Sequence, residues 1–265
     1  MSGRDNVNLT FWEHLDELRS CIMKILVATL LFGILAFLFK DEVFRIVFAP
    51  KNADFIVYGL FDKVADVMTL FVGSGQSGGA EPVDVQLINT GLTSQFVIHV
   101  KMAFYVGLLF SSPYIIYVLF RFVSPGLYTE ERKYVVRLVS SGYVMFMLGT
   151  ALSYFVVFPL TFRFLGTYSV SEDVENLISL ESYMDTFVML NLMMGIMFEL
   201  PVICWLLSRF GLISAKFMRL YRKHAIVAIL IAAAIITPTS DAFTLLIVAA
   251  PIWLLYELSI FVVRK

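Results

Sequence analysis

Long apolar runs alternate with short polar segments along the whole chain. Six runs stand out, at about residues 22–39, 96–120, 135–165, 183–207, 225–236 and 243–263. An α-helix rises about 1.5 Å per residue and the hydrocarbon core of a bilayer is about 30 Å thick, so roughly 20 apolar residues cross it. The pattern therefore predicts an all-α integral membrane protein with six transmembrane helices. Because prolines interrupt several runs, we expect a curved, kinked bundle. We also expect its last two helices to be short.

Two of the runs have unusual lengths. The run at 225–236 holds 12 residues and reaches only about 18 Å as a helix, so it is either a re-entrant segment or a short span that thins the bilayer. We expect a short span, because Arg264 and Lys265 then lie on the positive side of the membrane. The run at 135–165 is longer than needed, so we expect it to tilt, to kink at Pro159 or to project from the bilayer.

Residues 1–21 carry a different helical pattern. At about 100° per residue, Phe11, Leu15, Leu18 and Ile22 fall on one stripe. The opposite side holds Glu13, Asp16, Glu17 and Ser20. The pattern predicts an amphipathic cytoplasmic helix at the membrane surface that leads straight into the first span. A solvated face is the simplest interpretation of Glu13 and Asp16.

The basic residues predict the orientation. Of the 20 Lys and Arg residues, twelve lie at the two termini, between the second and third runs, and between the fourth and fifth runs, and Lys24 and Arg137 lie in the adjoining ends of runs. Cytoplasmic segments are enriched in Lys and Arg, so both termini are predicted to be cytoplasmic. Segment 40–95 is then the main extracytoplasmic loop. It begins with a short amphipathic helix over residues 41–48 that ends before Pro50.

Composition agrees with a membrane protein and narrows the function classes. The chain has 265 residues, of which 59% are hydrophobic and 15% charged, and its mean hydropathy is +0.83. A soluble domain of this size cannot bury that much apolar surface. The net charge of −1 gives no indication of nucleic-acid binding. Cys21 and Cys204 lie in apolar helices and the three histidines are scattered, so we expect no disulfide, metal, cofactor or catalytic cluster.

Glu199 is unusual for a membrane span. Asn191, Gly195 and Glu199 recur every four residues and share one helix face, and Pro201 frees a backbone carbonyl one turn earlier. Ionisable groups at membrane depth generally face protein or a wet cavity. Two interpretations stay open: a buried glutamate bonded to a neighbouring helix, and a polar docking point or cavity lining. Interfacial positions near span ends are expected instead for Lys24, Lys101 and Glu257.

A short charged loop follows the second run. Pro125 and Gly126 are typical of a helix end, and Thr129 is typical of the start of the next helix. Carboxylates are favoured in the first turn of a helix by its exposed amides, which accounts fully for Glu130. The same reason accommodates Glu131, so these residues alone indicate no more than a helix start.

Five motifs, in this order and spacing, resemble the TatC family, the multispanning receptor subunits of the twin-arginine protein translocase. They are His14-Leu-Asp-Glu-Leu-Arg19, Ser124-Pro-Gly-Leu-Tyr-Thr-Glu-Glu-Arg132, Tyr154-Phe-Val-Val-Phe-Pro159, Phe198-Glu-Leu-Pro201, and Thr237-Pro238 with Asp241. The resemblance covers nearly the whole chain except about residues 51–89. Two positions depart from the family pattern: the segment from Thr237 to Asp241 is one residue longer, and Leu245 stands where a glutamine is common.

The resemblance implies a receptor for folded proteins that carry Arg-Arg signal peptides, in the plasma membrane of a bacterium or archaeon. It assigns signal-peptide binding to Glu17 and Glu131, together with Phe122, and gives Arg19 and Arg132 the role of orienting these carboxylates or binding lipid phosphate. It also implies single-span partners of the TatA and TatB types, self-association, and transport driven by the proton motive force. Glu199 and Asp241 match family positions linked to single-span partners, so the resemblance implies docking within the membrane there. We expect Asn191, Pro201 and Pro50 to belong to the same docking positions.

Two other function classes are weaker. A proton-coupled solute transporter needs ionisable relays in several spans, whereas only Glu199 lies deep in an apolar run. The sequence also shows no internal repeat of the kind that many transporters have. A membrane enzyme needs a catalytic cluster near the interface, and the sequence offers none. We therefore favour the receptor.

Overall fold

The computed structural model describes residues 11–52, 55, 57–59, 86–123, 135–168, 177–237 and 241–263. The helices are α1 (Phe11–Leu38), α2 (Lys40–Phe48), α3 (Ser94–Val123), α4 (Val135–Leu152), α5 (Phe158–Thr167), α6 (Leu180–Met197), α7 (Leu200–Arg209), α8 (Ala215–Leu220), α9 (Arg222–Ile236) and α10 (Ala242–Val262). A 3-10 turn (Ala49–Lys51) follows α2, and a π-helical segment (Ser153–Val157) joins α4 to α5. The two-residue strands β1 (Leu87–Ile88) and β2 (Ile178–Ser179) pair in parallel.

Five helical stretches in the described chain are long and apolar enough to cross a bilayer. They are Trp12–Leu38, Ser94–Phe122, Leu138–Thr167, Leu180–Arg209 and Ala242–Val262. The all-α membrane class is therefore confirmed. α9 has only 15 residues, fewer than the roughly 20 that span the hydrocarbon core. The sixth span, like the curvature of the bundle, stays a prediction.

α1 joins the acidic N-terminal turns and the first apolar run in one helix of 28 residues. No proline falls within it, so no backbone hydrogen bond of the helix is lost. The amphipathic helix thus leads directly into the first apolar run, as predicted. The short helix predicted over residues 41–48 is present as α2. It ends at Phe48, directly before the 3-10 turn that contains Pro50.

The third long run changes its helical form before Pro159. This proline is the second residue of α5, and the π-helical segment comes directly before it. Proline has no N–H to return to the preceding turn and its ring crowds that turn. A local widening to π geometry accommodates both effects. The predicted kink at Pro159 therefore corresponds to a change in hydrogen bonding one turn earlier.

The fourth long run is interrupted at Phe198 and Glu199. α6 ends at Met197, and Pro201 is the second residue of α7. The N–H of Glu199 bonds back to the carbonyl of Ile196 at 3.0 Å, which is the spacing of a turn and not of an α-helix. The proline therefore separates the run into two helices and places Glu199 at their junction.

The chain divides into two compact units. The first consists of Met1–Leu38 and Ala103–Tyr143, and the second of Phe39–Met102 and Val144–Lys265. In the first unit, α1 crosses α3 closely, since a Cβ atom added to Gly107 would lie 2.6 Å from the carbonyl oxygen of Thr29. The hydroxyls of Thr29 and Ser111, 3.2 Å apart, hydrogen-bond at the same crossing. Small residues and hydroxyl pairs of this kind hold helices together in lipid. A single membrane domain over residues 1–265 stays a prediction.

In the second unit, α4 packs on α6 through two glycines. A Cβ atom at Gly149 would lie 2.6 Å from the carbonyl oxygen of Met194, and one at Gly195 would lie 2.7 Å from the ring of Phe146. Further along, α5 and α6 pack through aromatic rings in edge-to-face contact. These rings belong to Phe158, Phe162, Tyr183 and Phe187.

Tyrosine hydroxyls hold the end of α2 against the rest of the second unit. Those of Tyr154, Tyr183 and Tyr58 each donate a 2.8 Å hydrogen bond to a backbone carbonyl. The accepting carbonyls belong to Ile46, Val47 and Pro50, respectively. The last carbonyls of a helix lack regular partners. The tyrosines supply donors there and so fix α2 in place.

Candidate functional site

The first group of predicted site residues lies in the first unit. Glu17 is half-buried on α1, and Arg19 is exposed two residues later. The ring of Phe122, at the end of α3, stacks on the ring of His14 with centroids 4.4 Å apart and planes 17° apart. Residues three apart on a helix are neighbours. The stack therefore brings Phe122 beside the turn of α1 that carries Glu17.

Glu17 makes no ion pair or hydrogen bond with another described residue. Arg19 does not pair with it, because side chains two residues apart on a helix point in different directions. No described contact therefore supports an orienting role of Arg19 toward Glu17. The described residues therefore leave the carboxylate available to a ligand.

Glu131 and Arg132 lie outside the described residues, as does the rest of segment 124–134. The structure describes α3 up to Val123 and α4 from Val135, on either side of that segment. The predicted pairing of Glu17 with Glu131 across a ligand therefore stays a prediction.

The second group lies in the second unit and centres on α6. Asn191 is fully buried, and its Nδ2 donates a 2.8 Å hydrogen bond to the carbonyl of Phe187. Its Oδ1 is buried without a hydrogen-bond partner in the described chain. Glu199 is half-buried at the α6–α7 junction, and its Oε1 is likewise buried without a described partner. Of the two open interpretations of Glu199, this favours a docking point over a glutamate bonded to a neighbouring helix.

Two hydroxyls that the sequence analysis did not single out belong to the same region. Thr150 on α4 and Ser153 in the π-helical segment are buried, and neither Oγ atom has a described partner. Thr150 faces Gly195, because a Cβ atom at Gly195 would lie 2.9 Å from its Oγ1. Their sequence signal was two polar residues, three apart, inside an otherwise apolar run. The region around the α4–α6 contact thus contains several buried polar oxygens that have no described partner.

Three other predicted docking positions have roles within the fold. Pro201 is buried and interrupts the helix, as described above. Asp241 caps α10, since its Oδ1 accepts a 2.7 Å hydrogen bond from the N–H of Thr244. Pro50 is buried and its carbonyl accepts the Tyr58 hydroxyl. These placements favour a structural role over direct contact with a partner.

Tyr58 lies in the extracytoplasmic part of the predicted topology. Burial raises the pKa of its hydroxyl to about 12, although the nearby Arg163 guanidinium acts in the opposite direction. The same guanidinium lies over the Tyr58 ring, 5.4 Å from its centroid. Tyr58 is therefore a neutral hydrogen-bond donor at physiological pH.

Two residues expected to be simple interfacial charges have partners. Lys101 pairs with Asp185 of α6, and Glu257 of α10 pairs with Arg222 at 2.6 Å. Lys24 is exposed on α1 and makes no ion pair with a described residue. Among the residues that the structure describes, no group of three His, Cys, Asp or Glu side chains is placed to hold a metal ion.

Comparison with known proteins decides the family. The sequence profile described as Sec-independent protein translocase protein (TatC) matches residues 13–251. The chain belongs to the TatC family. The TatC of Blattabacterium sp. subsp. Periplaneta americana is 34% identical over 96% of this chain and 94% of the relative. The TatC of Desulforapulum autotrophicum is 31% identical over 97% of this chain and 85% of the relative.

Solved TatC structures have the same fold. A crystal structure of the twin-arginine translocase receptor TatC in DDM matches with a TM-score of 0.76 at 30% identity, covering 96% of this chain and 100% of that chain. A second crystal structure of that receptor gives 0.73, covering 94% and 97%. The family inferred from the five motifs is confirmed. This TatC-family chain is a membrane component of a Sec-independent protein translocase, and so a transport protein and not an enzyme.

Proposed function

We propose that this TatC-family chain is the core receptor subunit of a twin-arginine translocase and binds Arg-Arg signal peptides through Glu17 and Glu131. Glu17 carries the proposal. Its carboxylate is half-buried, is not neutralised by a described residue, and lies one helical turn from the His14–Phe122 stack. An available carboxylate on a fixed helical turn suits a cationic ligand.

The chemistry favours arginine over lysine. Guanidinium offers a planar pair of N–H donors that matches both oxygens of a carboxylate, whereas ammonium is a point charge. A hydrogen bond to a charged group contributes about 1.5–3 kcal/mol. Two carboxylates on separate segments, each taking one guanidinium, therefore recognise a pair of arginines by geometry as well as by charge.

The half-buried carboxyl of Glu199, which has an oxygen without a described partner, supports recruitment of single-span partners. An unpaired polar atom in hydrocarbon is unfavourable, so a transmembrane helix that brings a donor to it is stabilised there. Partners of the TatA and TatB types fit this role. The same assembly would include further copies of this chain.

The remaining parts of the proposal concern the membrane and the energy source. The excess of Lys and Arg in the segments assigned to the inside supports cytoplasmic termini. Bacterial relatives support the plasma membrane of a bacterium or archaeon as the location. Transport of folded precursors would be driven by the proton motive force, as the family assignment implies.

Retention of an Arg-Arg signal peptide by the purified full chain in detergent tests the receptor assignment. Glu17→Ala combined with Glu131→Ala is expected to abolish retention, because both carboxylates are removed. Asp16→Ala combined with Glu130→Ala is the matched control, since it removes two adjacent carboxylates from the same two segments. Undiminished retention by the first double variant, or equal loss by both, contradicts the assignment.

A further inference from the structure

The segment from Arg209 to Lys223, which links α7 to α9, combines two properties. Between Leu200 and Ile236 the chain contains no acidic residue. The same stretch carries five basic residues, all of them exposed. They are Arg209, Lys216, Arg219, Arg222 and Lys223. The second property is a set of large apolar side chains exposed among these cations.

One side of α8 packs against the rest of the second unit. The Ser214 side chain caps its first turn by accepting the N–H of Phe217 at 3.2 Å. Met218 is 5% exposed and packs with Ile260 and Val263. The hydroxyl of Tyr256 donates a 2.8 Å hydrogen bond to the Met218 carbonyl. The orientation of α8 is therefore fixed by contacts that bury Met218.

The opposite side of α8 is uncovered and carries large apolar side chains next to Lys216. At about 100° per residue, Leu220 points nearly opposite to Met218, and Phe217 and Lys216 flank it. Leu220 is 75% exposed and Phe217 is 50% exposed. The ring of Phe217 lies 4.5 Å from that of Tyr221, which is also exposed. Side chains of this size, directed away from the buried side, indicate an apolar environment on that side.

Most cations of the segment are not neutralised within the described chain. Arg222 is paired with Glu257, and the guanidinium of Arg209 lies 5.0 Å from the centroid of the Trp205 ring. Lys216, Arg219 and Lys223 form no ion pair with a described residue. Uncompensated positive charge next to exposed apolar side chains is complementary to one surface in particular, an anionic lipid bilayer.

We propose that α8 is an interfacial anchor that binds anionic phospholipid. Phe217 and Leu220 insert at the boundary between headgroups and acyl chains, and Lys216 and Arg219 hold the headgroup phosphates. Helices with an apolar side and a Lys- and Arg-rich side lie in the membrane interface in this way. Phosphate accepts hydrogen bonds from both cation types. The anchor does not depend on signal-peptide binding.

An acidic protein surface would complement α8 less well than an anionic bilayer. It would complement Lys216 and Arg219 but would leave Leu220 facing charged groups, whereas a bilayer satisfies both features at the same depth. A free phosphate would satisfy the cations and would gain nothing from the exposed apolar side chains. The experiment distinguishes these ligands.

The test titrates phosphatidylglycerol in mixed micelles against the purified full chain and counts bound lipids by native mass spectrometry. Phosphatidylglycerol is expected to bind more tightly than phosphatidylcholine. Lys216→Gln with Arg219→Gln is expected to weaken phosphatidylglycerol binding about 25-fold, since each basic residue near an anionic surface contributes about fivefold. Phe217→Ser with Leu220→Ser is also expected to weaken it, although the charge is unchanged.

Lys40→Gln with Arg45→Gln is the matched control, because it removes two exposed cations from α2 and is expected to change binding less than twofold. Lys216→Arg with Arg219→Lys keeps both charges and should retain the lipid. If the double Gln variant does not fold, Lys216→Gln alone is expected to show the fivefold effect. Equal weakening by both Gln pairs overturns the site, as does displacement of the lipid by millimolar glycerol phosphate. Unchanged lipid binding with loss of a co-purifying protein overturns it in favour of a protein partner.

Discussion

The hydroxyl of Tyr183 on α6 donates a 2.8 Å hydrogen bond to the carbonyl of Val47 in the last turn of α2. Tyr183 is 2% exposed, so the bond is shielded from solvent. The ring also contacts Phe48, with centroids 6.0 Å apart. One side chain therefore both packs the core of the second unit and caps a carbonyl in the last turn of α2.

Tyr183→Phe is expected to destabilise the protein by about 1–3 kcal/mol, because it leaves a buried carbonyl without this donor while keeping the ring. The measurement is thermal unfolding of the purified chain in detergent, followed by the loss of monodisperse protein. Tyr117→Phe is the control, since Tyr117 is exposed on α3 and makes no hydrogen bond with a described residue. Equal melting of the two variants would show that the Tyr183 bond contributes little.

Gly149→Ala is expected to destabilise the second unit by about 1–3 kcal/mol, the usual range for overpacking. The new methyl group would lie 2.6 Å from the Met194 carbonyl, a backbone atom that moves only if α4 and α6 separate. Gly59→Ala serves as the control because a Cβ atom there meets nothing within 4 Å. The same thermal assay applies. A Gly149→Ala protein that melts like Gly59→Ala would mean that the two helices separate easily.

Apolar run length located the long helices because length and hydropathy are local properties of the sequence. The partners of Lys101 and Glu257 were not predictable in this way, since Lys101 and Asp185 are 84 residues apart and Arg222 and Glu257 are 35 residues apart. Such pairs form only when packing brings helices together. The proposed docking role of Glu199 could be inferred from the sequence, because an ionisable residue in an apolar run is conspicuous without any partner.

The packing role of Gly149 is a second feature that could not be predicted from the sequence. A glycine in a membrane helix is ordinary, and its importance depends on which atom faces it. The hydroxyls of Thr150 and Ser153 were overlooked for the same reason, since serine and threonine in apolar runs usually bond to their own helix. Their lack of a described partner became visible only in the packed structure.

Glu199→Leu is expected to abolish co-purification of single-span partners while leaving retention of the Arg-Arg signal peptide unchanged. Leucine removes the buried oxygen to which a partner would bond, and the signal-peptide carboxylates are untouched. Glu199→Gln keeps a hydrogen-bonding group and should retain part of the partner. Glu181→Leu, at an exposed position in the first turn of α6, controls for the loss of a carboxylate. Full partner recovery with Glu199→Leu would remove Glu199 from the docking site.

The difference in stability between the parent chain and Tyr58→Phe is expected to shrink between pH 10 and pH 12. The pKa of Tyr58 is raised from 10.0 to about 12 in the folded chain, so the unfolded chain ionises first as the pH rises. The contribution of Tyr58 is therefore fully present below pH 10 and is lost by about pH 12. Parallel denaturant titrations of both proteins at several pH values measure it. A constant difference across this range would mean that the pKa is not raised.

Phe122→Ala is expected to lower affinity for an Arg-Arg signal peptide about two- to tenfold, because it removes the stack that fixes the His14–Glu17 turn. An aromatic pair contributes about 0.5–1.5 kcal/mol beyond its buried area, which corresponds to this range of affinity. Phe122→Tyr keeps the ring and should bind like the parent chain. Phe110→Ala, at a position 66% exposed on the same helix, is the matched control. Peptide titration by fluorescence anisotropy measures all four proteins. Phe122 carries no charge. A loss of affinity confined to Phe122→Ala would therefore show that the receptor needs Glu17 held in position as well as ionised. Equal affinities of all four proteins would assign recognition to charge alone.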